Sequence, residues 1–196
     1  MQVANSIPDV LLRFLAKIPD LNDAERRRLA EELPVREFLK GAVLLRQGDV
    51  PVSCYFVLKG CVRQFSLTED GRETSIEFFT EEEAVLIFGS QTEGKPAEYS
   101  LECIEDSLIM VGVLNGLPSM FAKYPKLVSI TRTMMERDFA KTQANFAAFK
   151  ALCPEARYRS LLEKRPELLA RVPQYLLASY LGVTPESLSR IRKRIS

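Results

Sequence analysis

LASYLGVTPESLSRIRKRIS, residues 177–196, sets an apolar run, a single glycine, a Thr-Pro-Glu and four cationic side chains into the final stretch of the chain. A helix-turn-helix needs a small residue where two helices approach, a residue free to take positive φ in the turn, and apolar residues that lock the pair at a fixed angle. Leu177, Leu181, Val183, Leu188 and Ile191 supply the apolar set, Ala178 the close approach and Gly182 the turn. Thr184 is the expected N-cap of the second helix, and Pro185 falls at its first position, where a missing amide costs nothing. With the apolar face turned inward, Glu186, Ser187, Ser189, Arg190, Arg192, Lys193 and Arg194 face outward or flank the interface. In such a pair the first residues of the second helix reach base edges, and cations further along meet phosphates. Arg190 is the expected bidentate reader of guanine, Glu186 accepts from cytosine N4, and Ser187 and Ser189 hydrogen-bond more permissively.

Upstream, short helices begin at prolines: "EARYRSLLEKR", "PELLARV" and "PQYLLASYL". From Glu155 to Ser196 nine Lys/Arg stand against four Asp/Glu, whereas residues 1–154 carry 18 against 22, so the net charge of +1 hides a basic tail on an acidic body. Before that tail, no proline or glycine falls between Pro125 and Pro154, and a helix of more than twenty residues is expected. Val128, Met135, Phe139, Thr142, Phe146 and Phe149 recur at spacings of three, four and seven along it. Such a stripe is buried either within one chain or against a partner helix. The second is favoured, with Val128, Met135, Phe139, Phe146 and Phe149 as the interface of a twofold homodimer.

Residues 35–113 read differently. Short runs rich in Val, Ile, Phe and Tyr are punctuated by Gly41, Gly48-Asp49, Gly60, Asp70-Gly71 and Gly94, which predicts an antiparallel roll of about eight strands. Two helical patterns precede them, the second capped by Asn22 or Asp23. The acidic Glu81–Glu83 run reads as a solvated loop. Three parts follow: residues 1–115 as a roll with N-terminal helices, 116–152 as a dimerisation helix and 153–196 as a helix-turn-helix domain.

Composition removes several alternatives. The 196 residues contain no histidine, the usual general base, zinc ligand and haem ligand. The four cysteines, Cys54, Cys61, Cys103 and Cys153, lack CxxC spacing and read as buried free thiols. No cofactor, metal or enzymatic activity is expected. Apolar runs fall far short of the roughly 18 residues of a membrane span, and the start lacks a signal-peptide pattern, so a cytoplasmic location is expected.

The order of parts resembles the cyclic-AMP receptor protein/FNR family of transcription regulators across nearly the whole chain. "FLKGAVLLRQGDVPVSCYFVLKGCVRQFSLTEDGRETSIEFF" (38–79) is similar to that family's cyclic-nucleotide-binding-like β-roll, a jelly-roll type, in its "GD" turn, its "YFVLKG" strand-turn and its "DGRE" hairpin. The tail is similar to a Bacteroidetes-type subgroup with a short C-terminus. The resemblance implies an α+β fold of N-terminal antiparallel roll, long central dimerisation helix and C-terminal helix-turn-helix. It also implies a homodimer on a twofold operator of double-stranded DNA, with RNA polymerase as a further partner and the roll sensing a signal. Function is then sequence-specific DNA binding. The competing reading is a ligand-binding module that regulates a protein partner through its basic tail.

The sensing chemistry departs from the family. Members that bind cyclic AMP hold it with a Gly-Glu pair and an Arg-Ser about ten residues later. In "VLIFGSQTEGKPAEYSLEC" (85–103), aligning Ser100 with that serine puts Tyr99 where arginine belongs, with Glu98 beside it. The phosphate loses its cation, and cyclic AMP is not expected to bind in the usual way. The oxygen-sensing branch carries N-terminal cysteines, but the first here is Cys54; the haem branch relies on histidine. An unidentified small-molecule effector, if the roll takes one, is expected against Phe88, Ser90, Tyr99 and Ser100, closed by Thr142 or Phe146.

Overall fold

The computed structural model describes residues 6–85 and 94–195. Two helices, α1 (Ser6–Ala16) and α2 (Asp23–Glu32), precede the described strands β1 (Val35–Phe38), β2 (Val43–Leu45), β3 (Ser53–Lys59), β4 (Val62–Leu67), β5 (Glu73–Phe79), β6 (Ala84–Val85), β7 (Ser100–Cys103) and β8 (Ser107–Val113). After a 3-10 turn come α3 (Leu117–Lys123), α4 (Lys126–Ala151), α5 (Pro154–Lys164), α6 (Pro166–Arg171), α7 (Gln174–Tyr180) and α8 (Pro185–Ile195). Local signals set many of these boundaries. Asn22 closes a capping box with Glu25, Pro125 precedes the 26-residue α4, and Pro154, Pro166 and Pro185 each open a helix.

The strands form two antiparallel sheets, ordered β1-β8-β3-β6 and β2-β7-β4-β5. Alternation decides what each face meets. On β3, Val57 points into the roll with Val62, Leu101 and Ile109. Its neighbours Phe56 and Leu58 point outward onto α1 and α2, where Phe14 packs 4.6 Å from Phe56. The turn after β3 requires glycine: Gly60 has φ 107°, and a Cβ there would lie 2.7 Å from the Ser107 backbone.

The second sheet is covered on its outer face by the C-terminal helices. Cys61, Phe78 and Ile104 share one core with Tyr158, Leu161, Leu168, Leu177 and Leu188, and Phe78 meets Tyr180 edge-on at 5.4 Å. The helical tail is therefore packed onto the roll. The cysteines are free: Cys61 and Cys103 are buried as expected, with burial pushing their thiols up to about 12 and about 11, but Cys54 is half-buried and Cys153 is exposed ahead of α5.

The Glu81–Glu83 run corrects the expectation of a solvated loop. Glu81 and Glu83 accept hydrogen bonds from Arg171 at the end of α6 and Arg165 just ahead of it, and Glu82 pairs with Lys17 just after α1. An acidic triplet beside basic helices is neutralised wherever docking brings the charges together.

Candidate nucleic-acid interface

The pair α7 and α8 forms as the spacing predicts. Gly182 ends α7 at φ 69°. Its amide donates to the Ser179 carbonyl at 3.0 Å, and the Val183 amide donates to that of Ala178 at 2.9 Å. These are the two bonds of a Schellman motif, which favours glycine at this position. Glycine is needed for a second reason: a Cβ here would lie 3.0 Å from the Phe149 ring and 3.1 Å from the Arg157 guanidinium. The turn thus sits directly against the last turns of α4. Arg157 completes the joint by donating to the carbonyls of Leu152 at 3.0 Å and Leu181 at 2.8 Å, with its guanidinium 4.0 Å over the Phe149 ring.

Thr184 caps α8, its hydroxyl accepting from the Ser187 amide at 3.2 Å and donating to the Ser187 hydroxyl at 3.1 Å. Glu186, in the first turn, is held below the usual carboxylate range by a backbone amide and the Thr184 hydroxyl, as suits the positive end of a helix. Leu188 and Ile191 are buried one turn apart. The helical period then places Glu186, Ser189, Arg190 and Lys193 on the opposite side. Arg190 and Lys193 are exposed, and neither forms a salt bridge or hydrogen bond among the described residues. The flanking cations turn back toward the chain: Arg192 donates to Gln174 of α7 at 3.3 Å, and Arg194 lies 3.4 Å from Glu155 of α5.

The sequence-predicted tail residues therefore separate. Glu186, Ser189, Arg190 and Lys193 come together on one open face; Thr184 and Ser187 build the cap; Arg192 and Arg194 edge the face. Tyr175, 62% exposed near the start of α7, was not singled out by the sequence. Pro173 marks where that helix begins, but an exposed tyrosine has no spacing signature.

A cavity of about 540 Å³ lies between the roll, α4 and the C-terminal helices. Tyr99, Thr142 and Phe146 line it, joined by Gln64, Phe79 and Phe139 and by Lys164 and Tyr180 of the C-terminal helices. Burial, reinforced by Glu98, pushes the Tyr99 hydroxyl up to about 12, so it stays neutral. Ser100 is directed elsewhere: buried, it accepts from the Gln47 amide at 2.9 Å, because successive residues entering a strand face opposite sides. Phe88 and Ser90 lie outside the described residues. Along α4, Val128, Phe139, Phe146 and Phe149 are exposed, between 46% and 58%, while Met135 is half-buried. No helix among the described residues is long and apolar enough to cross a membrane.

Residues 35–123 match the family model of the cyclic nucleotide-binding domain. The chain is 26% identical over 170 residues to the transcriptional activator protein Anr of Pseudomonas protegens, covering 81% of this chain and 69% of that one. Among solved structures it is similar to the c-di-GMP responsive global regulator CLP of Xanthomonas campestris, with a TM-score of 0.68 and 20% identity over 86% of this chain and 89% of that one. FixK2 from Bradyrhizobium japonicum shares the fold with a TM-score of 0.68 at 16% identity, covering 83% of this chain and 84% of that one. A matching roll domain over residues 35–123, activator relatives along most of the chain and a fold shared with solved regulators agree: this chain is similar to transcription regulators of the cyclic-AMP receptor protein/FNR family.

Proposed function

We propose that the chain is a homodimeric, sequence-specific DNA-binding transcription regulator of the cytoplasm. The observation that carries this reading is the open face of α8, where Glu186, Ser189, Arg190 and Lys193 stand together with Arg190 and Lys193 unpaired among the described residues. Arg190 reads a base edge; Lys193 meets phosphate, with Arg192 and Arg194 at the margins of the contact. Residues 1–115 are the sensing part, 116–152 the dimerising part and 153–196 the reading part. The exposed stripe of Val128, Phe139, Phe146 and Phe149, with Met135 beside it, is covered by the same helix of a second copy, as favoured for twofold assemblies. Cyclic AMP is not the signal, because a neutral Tyr99 stands where its phosphate needs a cation. The cavity beside Tyr99, Thr142 and Phe146 has room for a small effector of largely apolar character.

A gel-shift screen of genomic fragments, beginning upstream of the protein's own gene, tests the reading. The expected result is a preferred fragment bound by a dimer, with affinity falling steeply as salt rises. Equal binding to every fragment at moderate salt would sink it.

A further inference from the structure

The Glu81–Glu83 turn is bolted to the roll and reaches several helices at once. The Glu82 amide donates to the Val57 carbonyl at 2.8 Å, and the Val57 amide donates to that of Glu83 at 3.0 Å. Glu82 takes φ 65°, a left-handed conformation uncommon outside glycine. That residue breaks strand alternation, so the three carboxylates reach different cationic partners. Glu81 accepts both arms of the Arg171 guanidinium at 2.7 and 2.8 Å, at the end of α6. Glu82 pairs with Lys17, just after α1, and its carbonyl accepts from Arg137 of α4 at 3.0 Å. Glu83 pairs with Lys141 of α4 and accepts from Arg165 at 3.3 Å, just ahead of α6.

Both ends of α6 are thus held by one turn of the roll. The covalent tie between α4 and the reading unit is Leu152 and Cys153, both extended. Two extended residues leave a joint free to rotate unless side chains fix it. Two recognition helices on one operator must meet grooves a set distance apart, so rotation at this joint changes what the dimer can read.

We propose that the Glu81–Glu83 turn is a positioning clamp through which the roll sets the orientation of the reading helix. The clamp leaves the open face of α8 clear, so it favours binding and narrows the accepted spacing between half-sites. This second part rests on the proposed DNA-binding function; the clamp itself does not.

The test compares wild type with Glu81→Gln/Glu83→Gln, using Glu136→Gln as a charge control, since among the described residues Glu136 pairs only with exposed Arg132 on α4. Hydrogen exchange at Ser75 reports docking, because its amide donates to the Ser179 hydroxyl of α7 at 2.9 Å. The clamp predicts at least about tenfold faster exchange there in the double variant, with β3 and β8 unchanged. Binding is then measured to operators selected in vitro and to the same sites with spacers one base pair longer or shorter. Wild type should discriminate by about tenfold or more, the double variant by less than about threefold, with best-site affinity about three- to tenfold lower. If the double variant does not fold, Arg171→Gln is read the same way. Unchanged exchange at Ser75 overturns the clamp, and faster exchange with unchanged spacer discrimination overturns its positioning role. A wild type that binds no duplex overturns the proposed function, while the exchange result still decides the clamp.

Discussion

Among the cations of the C-terminal unit, two pairs that the charge count treats alike have opposite surroundings. Arg165 and Arg171 face the roll, with side chains 12% and 22% exposed, and each is shared between carboxylates: Glu77 and Glu83 for the first, Glu81 and Glu105 for the second. Acidic neighbours keep both guanidiniums firmly charged against the opposing effect of burial. Arg190 and Lys193 face away, exposed and without an ion pair among the described residues. Buried cations with carboxylate partners hold the parts of one chain together; exposed cations without partners are left for an anion outside it.

Substitutions can break or sharpen that division. The largest effect is expected from Arg190→Ala: operator affinity should fall by about 1–3 kcal/mol per half-site, with sequence preference relaxed at one base pair in each. Lys193→Ala should instead weaken all sequences alike and flatten the salt dependence by about one phosphate contact per half-site. Unchanged base preference in the Arg190 variant would remove it from the reading role. Arg165→Gln is the inward counterpart. It leaves Glu77 without its cation and Glu83 with Lys141 alone, so denaturant unfolding should show a loss of about 2–3 kcal/mol while base preference stays as in wild type.

Gly182→Ala tests how firmly the reading turn sits on α4. Thermal denaturation should register about 1–2 kcal/mol of destabilisation, part from positive φ and part from the Phe149 ring. Repeating it with Phe149→Ala removes the ring's share and leaves the backbone part together with the Arg157 contact. The smallest effect is expected at Asp138, which faces the roll from α4. Burial raises its carboxyl, with Glu83 adding to the rise against Arg137, Lys141 and the Ala84 amide, and its Oδ2 has no hydrogen-bond partner. An acid whose carboxyl is raised on folding loses stability as pH climbs from its unfolded value through the raised one, so the cost grows as pH rises. Asp138→Asn should therefore raise the melting temperature slightly at pH 7, and the advantage should vanish in acid.

Much of the fold was readable from short-range pattern. Strand alternation, glycine punctuation, the proline-started helices and the turn at Gly182 depend on neighbours a few residues apart. The outward face of α8 followed from helical period alone. The effector residues were harder: Tyr99 and Ser100 were grouped by alignment with the Arg-Ser pair of the cyclic-AMP-binding members, yet here Tyr99 lines the cavity while Ser100 is buried against the Gln47 amide. Glu81–Glu83 read as solvated because its partners lie far along the chain, 82 positions away for Arg165 and 90 for Arg171.

The sequence by itself determined the elements, the reading turn and the residue types on the reading helix, since capping, periodicity and backbone freedom act within one or two turns. Only the tertiary structure decided which cations are spent inside the molecule and which remain for a partner. That choice depends on which carboxylates the docked roll brings within hydrogen-bonding reach, and no local pattern encodes a distance between segments so far apart.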